Sequence, residues 1–534
     1  MRRYLGPCLT FAAITGLAIG CTGLGAADTG VGGGESGSGT GGGVVGAAGG
    51  ATAGVGGGPI ETSDGTVAVK VSSPDFAACL ATDFHPDPIF LSAPHARAMV
   101  SATQVRGILL NNLPGDPAPQ PGNVRGAELL GYYHIDYPVA PSDDITVVAD
   151  LVKTDVDKQL LLQVGVQAPK VMLTKSKEQR RRTSLTILVD TSKSMEGESM
   201  LRANAAVLAL ASSLNKDDIL NLVTTNSEVA VVHRIAASTG GLALLQLDPP
   251  LQIGGAGSLQ TGVDRAYVAA TTDESLLPSG LNRLVVITDG GGLADAIAPG
   301  PLRGQWTSNR IQLVGVGVGN AKSYRNEMLG AATDAGHGAN IYLDSVKEAV
   351  PALHDRFDEI MDEAGGEVTI GVAVPSLLEM VELDPSDAIV TESHLLKSDL
   401  GRGRSMVFRR FVRVCDPDSV ALLGLTLDIT LAWNDPVTGE RKSRVDHIKV
   451  GDAVQANSAG GSFPLLKTSA ILAFGNALKS LDSARFKDAC VKLAAARNAL
   501  SGTGPSAPVD PELDSILAQI QRHPVMTMAN LKCP

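Results

Sequence analysis

An aspartate and two alternate serines end an apolar run in the middle of the chain. The run Leu185-Thr-Ile-Leu-Val-Asp190 is typical of a buried β-strand, and Ser192 and Ser194 follow it directly. In an open α/β sheet, ligands gather at the carboxyl ends of the strands, where a turn can aim a carboxylate and two hydroxyls at one point. Hard oxygen donors of this kind suit Mg²⁺. The spacing therefore predicts a magnesium site at the end of this strand.

Neighbouring patterns predict the elements that position these side chains. Helix formers with acidic residues in the first turn follow Met195. A second apolar run begins at Leu284 and again ends in a carboxylate, Asp289, followed by glycine. Four further segments alternate in pattern: strand Ile311–Gly319, helix Tyr324–Ala335, strand Asn340–Leu343 and a closing helix Val346–Ala364. Apolar strands that alternate with helices predict an α/β fold with a doubly wound, mostly parallel sheet buried on both faces.

The alternative role for the serines is to cap the helix that follows them. A cap needs one serine, because one side-chain oxygen satisfies the exposed amides of the first turn. Capping also leaves Asp289 without a role. The metal site is therefore the favoured interpretation.

These motifs together resemble the von Willebrand factor type A domain, which has a Rossmann-like fold. In that family the first loop carries Asp-x-Ser-x-Ser, a middle loop supplies a Thr or Ser hydroxyl, and a later strand end supplies an Asp. The resemblance implies that Asp190, Ser192 and Ser194 are the first-loop metal ligands and that Asp289 is the late ligand.

The middle ligand has two candidates. The segment Gly254-Gly-Ala-Gly-Ser258-Leu-Gln-Thr261 departs from the usual Gly-Thr pattern of the family. Ser258 is favoured, and Thr261 is the alternative. The residues after Asp289 are Gly-Gly-Gly-Leu-Ala-Asp and lack the family's usual polar side chains, so the rim of the site is expected to differ.

The resemblance implies a mode of binding that follows from charge. Asp190 and Asp289 balance a dication, and neutral hydroxyls leave it able to accept one more oxygen, such as a carboxylate from a partner. The implied cofactor is Mg²⁺, with Mn²⁺ or Ca²⁺ as alternatives, and the implied partner is a protein that offers an acidic side chain. The role is then adhesion without catalysis. A structural envelope protein, in which the metal only stabilises the loops, is one alternative.

A hydrolase is the other alternative, and the sequence disfavours it. No His-Glu-x-x-His, Gly-x-Ser-x-Gly or phosphate-binding Gly-x-x-x-x-Gly-Lys segment is present, and no base lies near Ser192 or Ser194 in sequence. The polar run that begins at His354 is expected to face solvent on the closing helix.

Three further segments resemble bacterial secreted or lipid-anchored members of the family, and they extend the likeness to residues 120–455. These segments are Leu129–Pro138, Leu161–Lys170 and Met328–Asp344. Such members flank the domain with an N-terminal segment and a β-rich C-terminal extension. The implied domains are an N-terminal flank at 61–182 with some β structure, the type A domain at 183–365, and a β-rich extension at 366–456.

The N-terminus is typical of an export signal followed by a tether. Two arginines precede an apolar stretch, Leu9–Ile19, that is too short to span a bilayer, and Ala18-Ile-Gly-Cys21 resembles a bacterial lipobox. Residues 1–21 are therefore expected to be a lipoprotein signal, with Cys21 lipidated. The lipid would anchor the protein to the bacterial cell envelope, and the outer membrane is the favoured location. The alternative is a secreted protein cut near Ala26. Half of the residues from Gly23 to Gly58 are glycine, so residues 22–60 predict a disordered linker.

Four cysteines remain besides Cys21 and the Cys8 of the signal. Cys79, Cys415, Cys490 and Cys533 are an even number in an exported chain, which favours two disulfides with three possible connectivities. Cys490 and Cys533 share the C-terminal helical region, so we expect them to pair and Cys79 to pair with Cys415.

Patterns outside the central domain predict a β-sandwich and a helical end. Period-two runs cover Glu367–Val374, Ser405–Val414, Leu423–Trp433 and Arg441–Val450 on one side, and Thr66–Ser72, Thr146–Leu151 and Leu160–Val166 on the other. We therefore expect the central domain to be inserted into one β unit. Helical spacing within residues 463–534 predicts two or three short helices.

The charge balance excludes a nucleic-acid partner. The net charge is −12 and the sequence pI is about 5.3, so no overall positive field would attract phosphates. One basic cluster precedes the first core strand and is expected to be a solvated linker, with contact to phosphate headgroups as a remote alternative; it comprises Lys175, Lys177, Arg180, Arg181 and Arg182.

Overall fold

The structure is a computed structural model of the 534-residue chain. The residues that it describes belong to one compact unit, Gly57–Pro534. They are residues 60–61, 67–68, 88–91, 97–110, 118–139, 144–154, 156, 158–169, 180–225, 232–236, 251, 253–254, 258–290, 297–375, 377–381, 398–415, 424–456, 461–501 and 510–533. The predicted signal, Cys21 and the glycine-rich linker lie almost wholly outside this part of the chain.

Strands and helices alternate along most of this unit, and its last elements are all α-helices. The strands are β1 Ile60–Glu61, β2 Val67–Ala68, β3 Ile89–Leu91, β4 Thr146–Lys153, β5 Gln159–Gln167, β6 Thr183–Val189, β7 Ile219–Thr224, β8 Val232–Ala236, β9 Leu281–Thr288, β10 Ile311–Gly317, β11 Asn340–Tyr342, β12 Glu363–Ala373, β13 Leu378–Val381, β14 Ser398–Gly401, β15 Ser405–Val414, β16 Thr426–Asn434 and β17 Arg441–Lys449. The α-helices are α1 Val100–Leu110, α2 Gly126–Tyr132, α3 Glu198–Ser212, α4 Leu259–Ala270, α5 Pro299–Asn309, α6 Glu327–Ala335, α7 Phe357–Met361, α8 Val450–Ala456, α9 Phe463–Ser480, α10 Ser483–Ser501, α11 Pro511–Arg522 and α12 Pro524–Met528.

A mostly parallel sheet forms the centre of the α/β domain, as the sequence predicted. Its strand order is β11-β10-β9-β6-β7-β8, and only β8 runs antiparallel to its neighbour. Every residue of β6, β9 and β10 is buried, because helices cover both faces. Ile187 packs with α3 and α7 on one face, and Leu188 packs with α4, α5 and α6 on the other.

The closing helix is shorter and less regular than the sequence predicted. A 3-10 turn at Val346–Glu348 and a π-turn at Val350–His354 precede α7, which ends at Met361. Pro351 lacks the amide that a continuous α-helix would use, and the Asp355 amide donates to the Val350 carbonyl instead. Ala364 was expected in the helix but lies in β12, which starts opposite Gly401 of β14. Arg356 and Phe357 were expected at the surface and are buried.

Strands from both sides of the α/β domain build a two-sheet β unit. One sheet has the order β13-β15-β5-β4, so β5 from before the domain pairs with β15 from after it. The other has the order β14-β12-β16-β17, with β3 also paired to β12. Apolar side chains of the two sheets form one shared core. The α/β domain is therefore an insertion, as expected, but Val67–Ala68 of the expected strand Thr66–Ser72 pairs with Ile60–Glu61 in a separate small sheet.

The C-terminal helices are longer than the short helices that the sequence predicted. α9 and α10 have 18 and 19 residues and pack with α11, α12, α1 and α2 around one core. A disulfide joins Cys490 and Cys533, whose Cα atoms are 5.3 Å apart. Cys415 is also disulfide-bonded, and Cys79, its expected partner, lies outside the described residues. Among the helices described, none combines the length and the apolar character needed to cross a bilayer.

Two arginines of the basic cluster are structural rather than solvated, whereas Arg182 is exposed. Arg180 is buried, pairs with Asp218 and lies over the Phe357 ring. Arg181 donates to Asp362 at 2.7 Å. Both arginines therefore fasten the start of β6 to its surroundings, and this arrangement excludes them as headgroup contacts. Lys175 and Lys177 lie outside the described residues.

A histidine joins the closing helix to the C-terminal helices. His134 Nε2 lies 3.1 Å from Glu359 Oε1 of α7, and Nδ1 lies 2.8 Å from Glu512 Oε1 of α11. Arg356 lowers the pKa of Glu359, although burial opposes it, and His134 lowers that of Glu512 to about 2, again against burial. Two ionised carboxylates accept only, so both ring nitrogens can donate to them when His134 is protonated. Burial opposes this charge, but the two carboxylates raise its pKa above the usual 6.5.

We predict that the His134 bridge stabilises the fold most at low pH. Because the folded-state pKa is raised, its contribution is complete below about pH 6.5 and is lost as the pH rises through the raised value. The difference in Tm between the wild type and His134→Gln should therefore be largest near pH 6 and should shrink toward pH 9. His447→Gln is the control, because His447 pairs with Asp428 on the exposed surface. A His134→Gln effect that is constant across this range would contradict the bridge.

Candidate metal site

The two predicted carboxylates lie at the same edge of the central sheet. Asp190 follows β6 and Asp289 follows β9, and these parallel strands pair in register up to Val189 and Ile287. The Asp190 amide continues the ladder by donating to the Ile287 carbonyl at 2.9 Å. Because parallel strands end together, both carboxylates are brought to one place, as the sequence predicted.

The loop after β6 brings its hydroxyls toward Asp289. The hydroxyl oxygens of Ser192 and Ser194 are 3.0 Å apart, and the Ser194 hydroxyl donates to Asp289 Oδ1 at 3.1 Å. The Ser192 amide donates to Asp190 Oδ1 at 2.9 Å, which folds the loop back over the strand end. For Mg²⁺ with oxygens at about 2.1 Å, an octahedron has an edge of about 3.0 Å. The spacing of these oxygens therefore fits adjacent vertices around one magnesium ion.

Asp190 is fixed by hydroxyls that the sequence analysis did not identify. The side chain is 5% exposed, and Thr288 donates to its Oδ2 at 2.7 Å while Thr225 donates to Oδ1 at 3.3 Å. Thr225 Oγ1 also accepts the Thr191 amide at 2.9 Å. Thr288 is the last residue of β9 and Thr225 directly follows β7, and both strands adjoin β6. This position is the signal that could have identified them. They hold the carboxylate in one orientation before any ligand arrives.

The middle loop contacts the first loop, but the structure does not decide whether Ser258 or Thr261 is its metal ligand. The Gly254 amide donates to the Thr191 carbonyl at 3.1 Å, and residues 255–257 lie outside the described part. Ser258 is the N-cap of α4 and accepts from the Thr261 amide at 3.5 Å, a weak bond that leaves the hydroxyl available. Ser258 is half-buried and Thr261 is exposed.

A glycine allows α4 to approach these strand ends. A Cβ atom on Gly262 would lie 2.5 Å from Thr225 Cγ2, which is a clash, and 3.2 Å from Leu188 Cδ1, which is a tight contact. No larger residue fits without moving the helix. Gly262 thus places the first turn of α4, with Ser258 and Thr261, beside Thr225 and the first loop.

Family comparison agrees with this geometry. The family model of the von Willebrand factor type A domain matches residues 184–356, which include both strand ends and the loops between them. Residues 184–356 form a von Willebrand factor type A domain. Domains of this family commonly mediate contacts between proteins. Among curated proteins, none matches the sequence of this chain.

Several solved structures are similar to the chain at low identity. A von Willebrand factor type A protein from Catenulispora acidiphila is 14% identical with a TM-score of 0.41, over 71% of this chain and 96% of that one. The ArnB paralog VWA2 from Sulfolobus acidocaldarius is 12% identical with a TM-score of 0.34, over 72% of this chain and 97% of that one. The pilus adhesin SpaC from Lactobacillus rhamnosus GG is 11% identical with a TM-score of 0.29, over 57% of this chain and 47% of that one.

In the described part of the rim beyond Asp289, two glycines bring backbone close to the site. Gly290 has a φ of +71°, a left-handed conformation that favours glycine, and it packs near the Tyr324 ring. A Cβ on Gly319 would lie 2.4 Å from the Asp289 carbonyl, so the loop after β10 approaches the end of β9 closely. Of the residues expected to alter the rim, 290–295, only Gly290 is among the described residues.

We predict that Thr288→Val destabilises the metal-free protein. The change is nearly isosteric and leaves Asp190 Oδ2 without its hydroxyl donor, so the free energy of unfolding should fall by about 1–3 kcal/mol. Urea denaturation in EDTA measures it. Thr307→Val is the control, because Thr307 is exposed on α5 and bonds only its own helix at Arg303; it should change stability by less than about 0.5 kcal/mol. Equal losses would show that the hydroxyl does not support Asp190.

Proposed function

We propose that this chain is a cell-envelope lipoprotein whose type A domain binds a protein partner through a metal ion, without catalysis. The observation that carries the proposal is the line of oxygens from Ser192 through Ser194 to Asp289, next to the fixed carboxylate of Asp190. These oxygens come from two loops that are far apart in sequence. Helix capping does not require such a convergence.

The donor set fits magnesium better than a softer metal. Carboxylate and hydroxyl oxygens are hard ligands, and Mg²⁺ keeps several waters and binds few carboxylates. The described residues contain no group of three His, Cys, Asp or Glu side chains that could hold a metal ion. The proposed site has two carboxylates, and its other ligands are hydroxyls. Asp190, Ser192, Ser194 and Asp289 would hold the ion, with Ser258 favoured over Thr261 from the middle loop. Mn²⁺ and Ca²⁺ are alternative occupants.

Exposure explains how a partner would reach this site. Asp190 is buried at the base, whereas Ser194 is exposed and Asp289 is half-buried at the top. The bound ion would supply a concentrated positive charge that attracts a carboxylate from another protein. The first loop orients the hydroxyls, and the buried threonines keep Asp190 from turning away. The partner is therefore a protein that presents an acidic side chain.

The first prediction concerns the metal. Asp190→Asn removes one charge and keeps the shape, so the affinity for Mn²⁺ or Mg²⁺ should fall at least about 100-fold, measured by calorimetry. Asp264→Asn is the matched control, since Asp264 lies exposed on α4 and accepts from Gln260. Equal heats of binding for both variants, or none for the wild type, would remove the metal site.

The second prediction separates adhesion from a structural role. Crosslinking on intact cells followed by mass spectrometry identifies the partner, and binding of that purified partner is then measured in Mg²⁺ and in EDTA. Adhesion predicts that EDTA or Asp190→Asn abolishes binding and that Asp264→Asn does not. If EDTA lowers the Tm while the partner still binds, the metal only stabilises the loops. If the purified protein turns over any member of a panel of hydrolase substrates, the hydrolase alternative is favoured.

The third prediction concerns the anchor. Lipidation at Cys21 would hold the domain on the envelope through a linker of roughly 30–36 Å r.m.s. length, by the square-root law for glycine-rich chains. Cys21→Ala should therefore move the protein from the membrane fraction to the soluble fraction and abolish labelling with radioactive palmitate. If the wild type is already soluble, the secreted alternative with cleavage near Ala26 holds.

A further inference from the structure

A lysine is enclosed between two carboxylates where α9 meets the start of α11. Lys467 of α9 is 4% exposed, and its Nζ lies 2.6 Å from Asp510 Oδ2 and 2.7 Å from Glu512 Oε2. The side chains of Asp510 and Glu512 are themselves only 12% and 21% exposed. An amine and a carboxyl group that are held in contact, with little water around them, are the reactants for an amide bond.

Asp510 is oriented by the helix that it caps. Its Oδ1 accepts from the backbone amides of Glu512 at 2.9 Å and Leu513 at 3.2 Å, whereas its Oδ2 contacts Lys467. If Nζ attacked the carboxyl carbon, negative charge would develop on Oδ1. The two amides and the positive end of the α11 dipole would stabilise that charge, as the donors of an oxyanion hole do.

The contact between Lys467 and Asp510 suits a reaction within the folded chain. Reacting atoms in favourable intramolecular geometries lie about 3–3.5 Å apart. Lys467 Nζ touches Oδ2, so it is at most one bond length farther from the carboxyl carbon of Asp510. Burial penalises the charged forms of both groups and therefore favours transfer of a proton from Nζ to Oδ2. That transfer gives the neutral amine and the neutral acid, which are the forms that react.

Glu512 is placed to carry a second proton. His134 fixes its carboxylate, since the His134 amide donates to Oε2 at 2.9 Å and Nδ1 lies 2.8 Å from Oε1. Although burial opposes it, His134 and Lys467 lower the pKa of Glu512 to about 2, so the carboxylate is ionised and able to accept. When Lys467 loses its charge, its effect on Glu512 ends and Glu512 becomes a stronger base.

We propose that Lys467 and Asp510 form an intramolecular isopeptide bond, with Glu512 as the proton carrier. Nζ transfers one proton to Oδ2 and then attacks the carboxyl carbon, while an electron pair of the C=O bond moves to Oδ1. Glu512 takes a second proton from Nζ and passes it to Oδ2, which leaves as water when the carbonyl at Oδ1 re-forms. The third proton stays on the amide nitrogen, so the reaction needs no oxidant and no co-reactant.

The bond would replace two buried charges by a covalent link between α9 and α11. The Cys490–Cys533 disulfide already ties α10 to the end of the chain, and reductants open a disulfide. An amide is not opened by reductants. The helical end of the chain would therefore keep one crosslink under reducing conditions.

The test is peptide mapping of the wild-type full chain after its disulfides are reduced. Trypsin cuts after a lysine only when the amine is free, so a bonded Lys467 leaves residues 450–479 uncut and joined to residues 498–522. This branched peptide should be lighter than its two separate parts by the mass of one water, and fragmentation should place the branch at Lys467 and Asp510. Peptides that end at Lys467, with no branched peptide, would show an ordinary ion pair and overturn the proposal.

An exposed ion pair on α10 is the internal control. Lys492 lies 2.9 Å from Asp488, and both side chains are about half exposed, so the amine stays solvated and charged and no branch should form. A branch of equal yield at Lys492 would mean that sample preparation creates the link and would overturn the proposal. Lys467→Arg keeps the charge without the amine and should lose the branched peptide, as should Glu512→Gln. Lys492→Arg should retain it.

Discussion

The buried carboxylate of Asp190 is the constraint around which the type A domain is organised. A charge at 5% exposure is tolerated only when donors surround it, and here the donors are a backbone amide and two threonine hydroxyls from adjoining strands. Those strands must end together for the donors to converge, and a parallel sheet provides this. The same arrangement leaves Ser194 and Asp289 at the surface, where a second molecule can reach them. The sheet is thus both the scaffold and the source of the polar groups.

The opposite end of the domain is held by a different kind of interaction. Arg283, buried in β9, donates to the Met361 carbonyl at 2.7 Å, and burial lowers its pKa to about 9. Arg97 pairs with Glu363 at 3.2 Å just after α7. Arg283 thus joins the last turn of the closing helix to β9, and Arg97 contacts the first residue of β12 in the β unit. Side-chain contacts therefore fix this end of the domain, in addition to the two chain connections.

The sequence was sufficient for features that depend on local pattern. Apolar runs that end in Asp190 and Asp289 located both strand ends, and alternation located β15 to the residue, because these signals lie within a few neighbouring positions. Features that depend on distant contacts were missed. Ala364 has high helix propensity, yet pairing across β12 places it in a strand. Arg180 belongs to a basic run and is buried, since Asp218 and Phe357 come from elsewhere in the chain.

The insertion of the type A domain has a mechanical consequence. The chain enters the domain at Thr183 and leaves it at Met361, and the Arg283 bond places both crossings at the amino ends of the strands. The carboxylates stand at the other ends, about 26 Å away for an eight-residue strand such as β9. Tension from a captured molecule would therefore run lengthwise through the sheet and divide between two exits. When parallel strands are pulled along their axes, many hydrogen bonds of the ladder must break at once. The sheet is therefore loaded in shear, which it resists more strongly than peeling of one strand at a time.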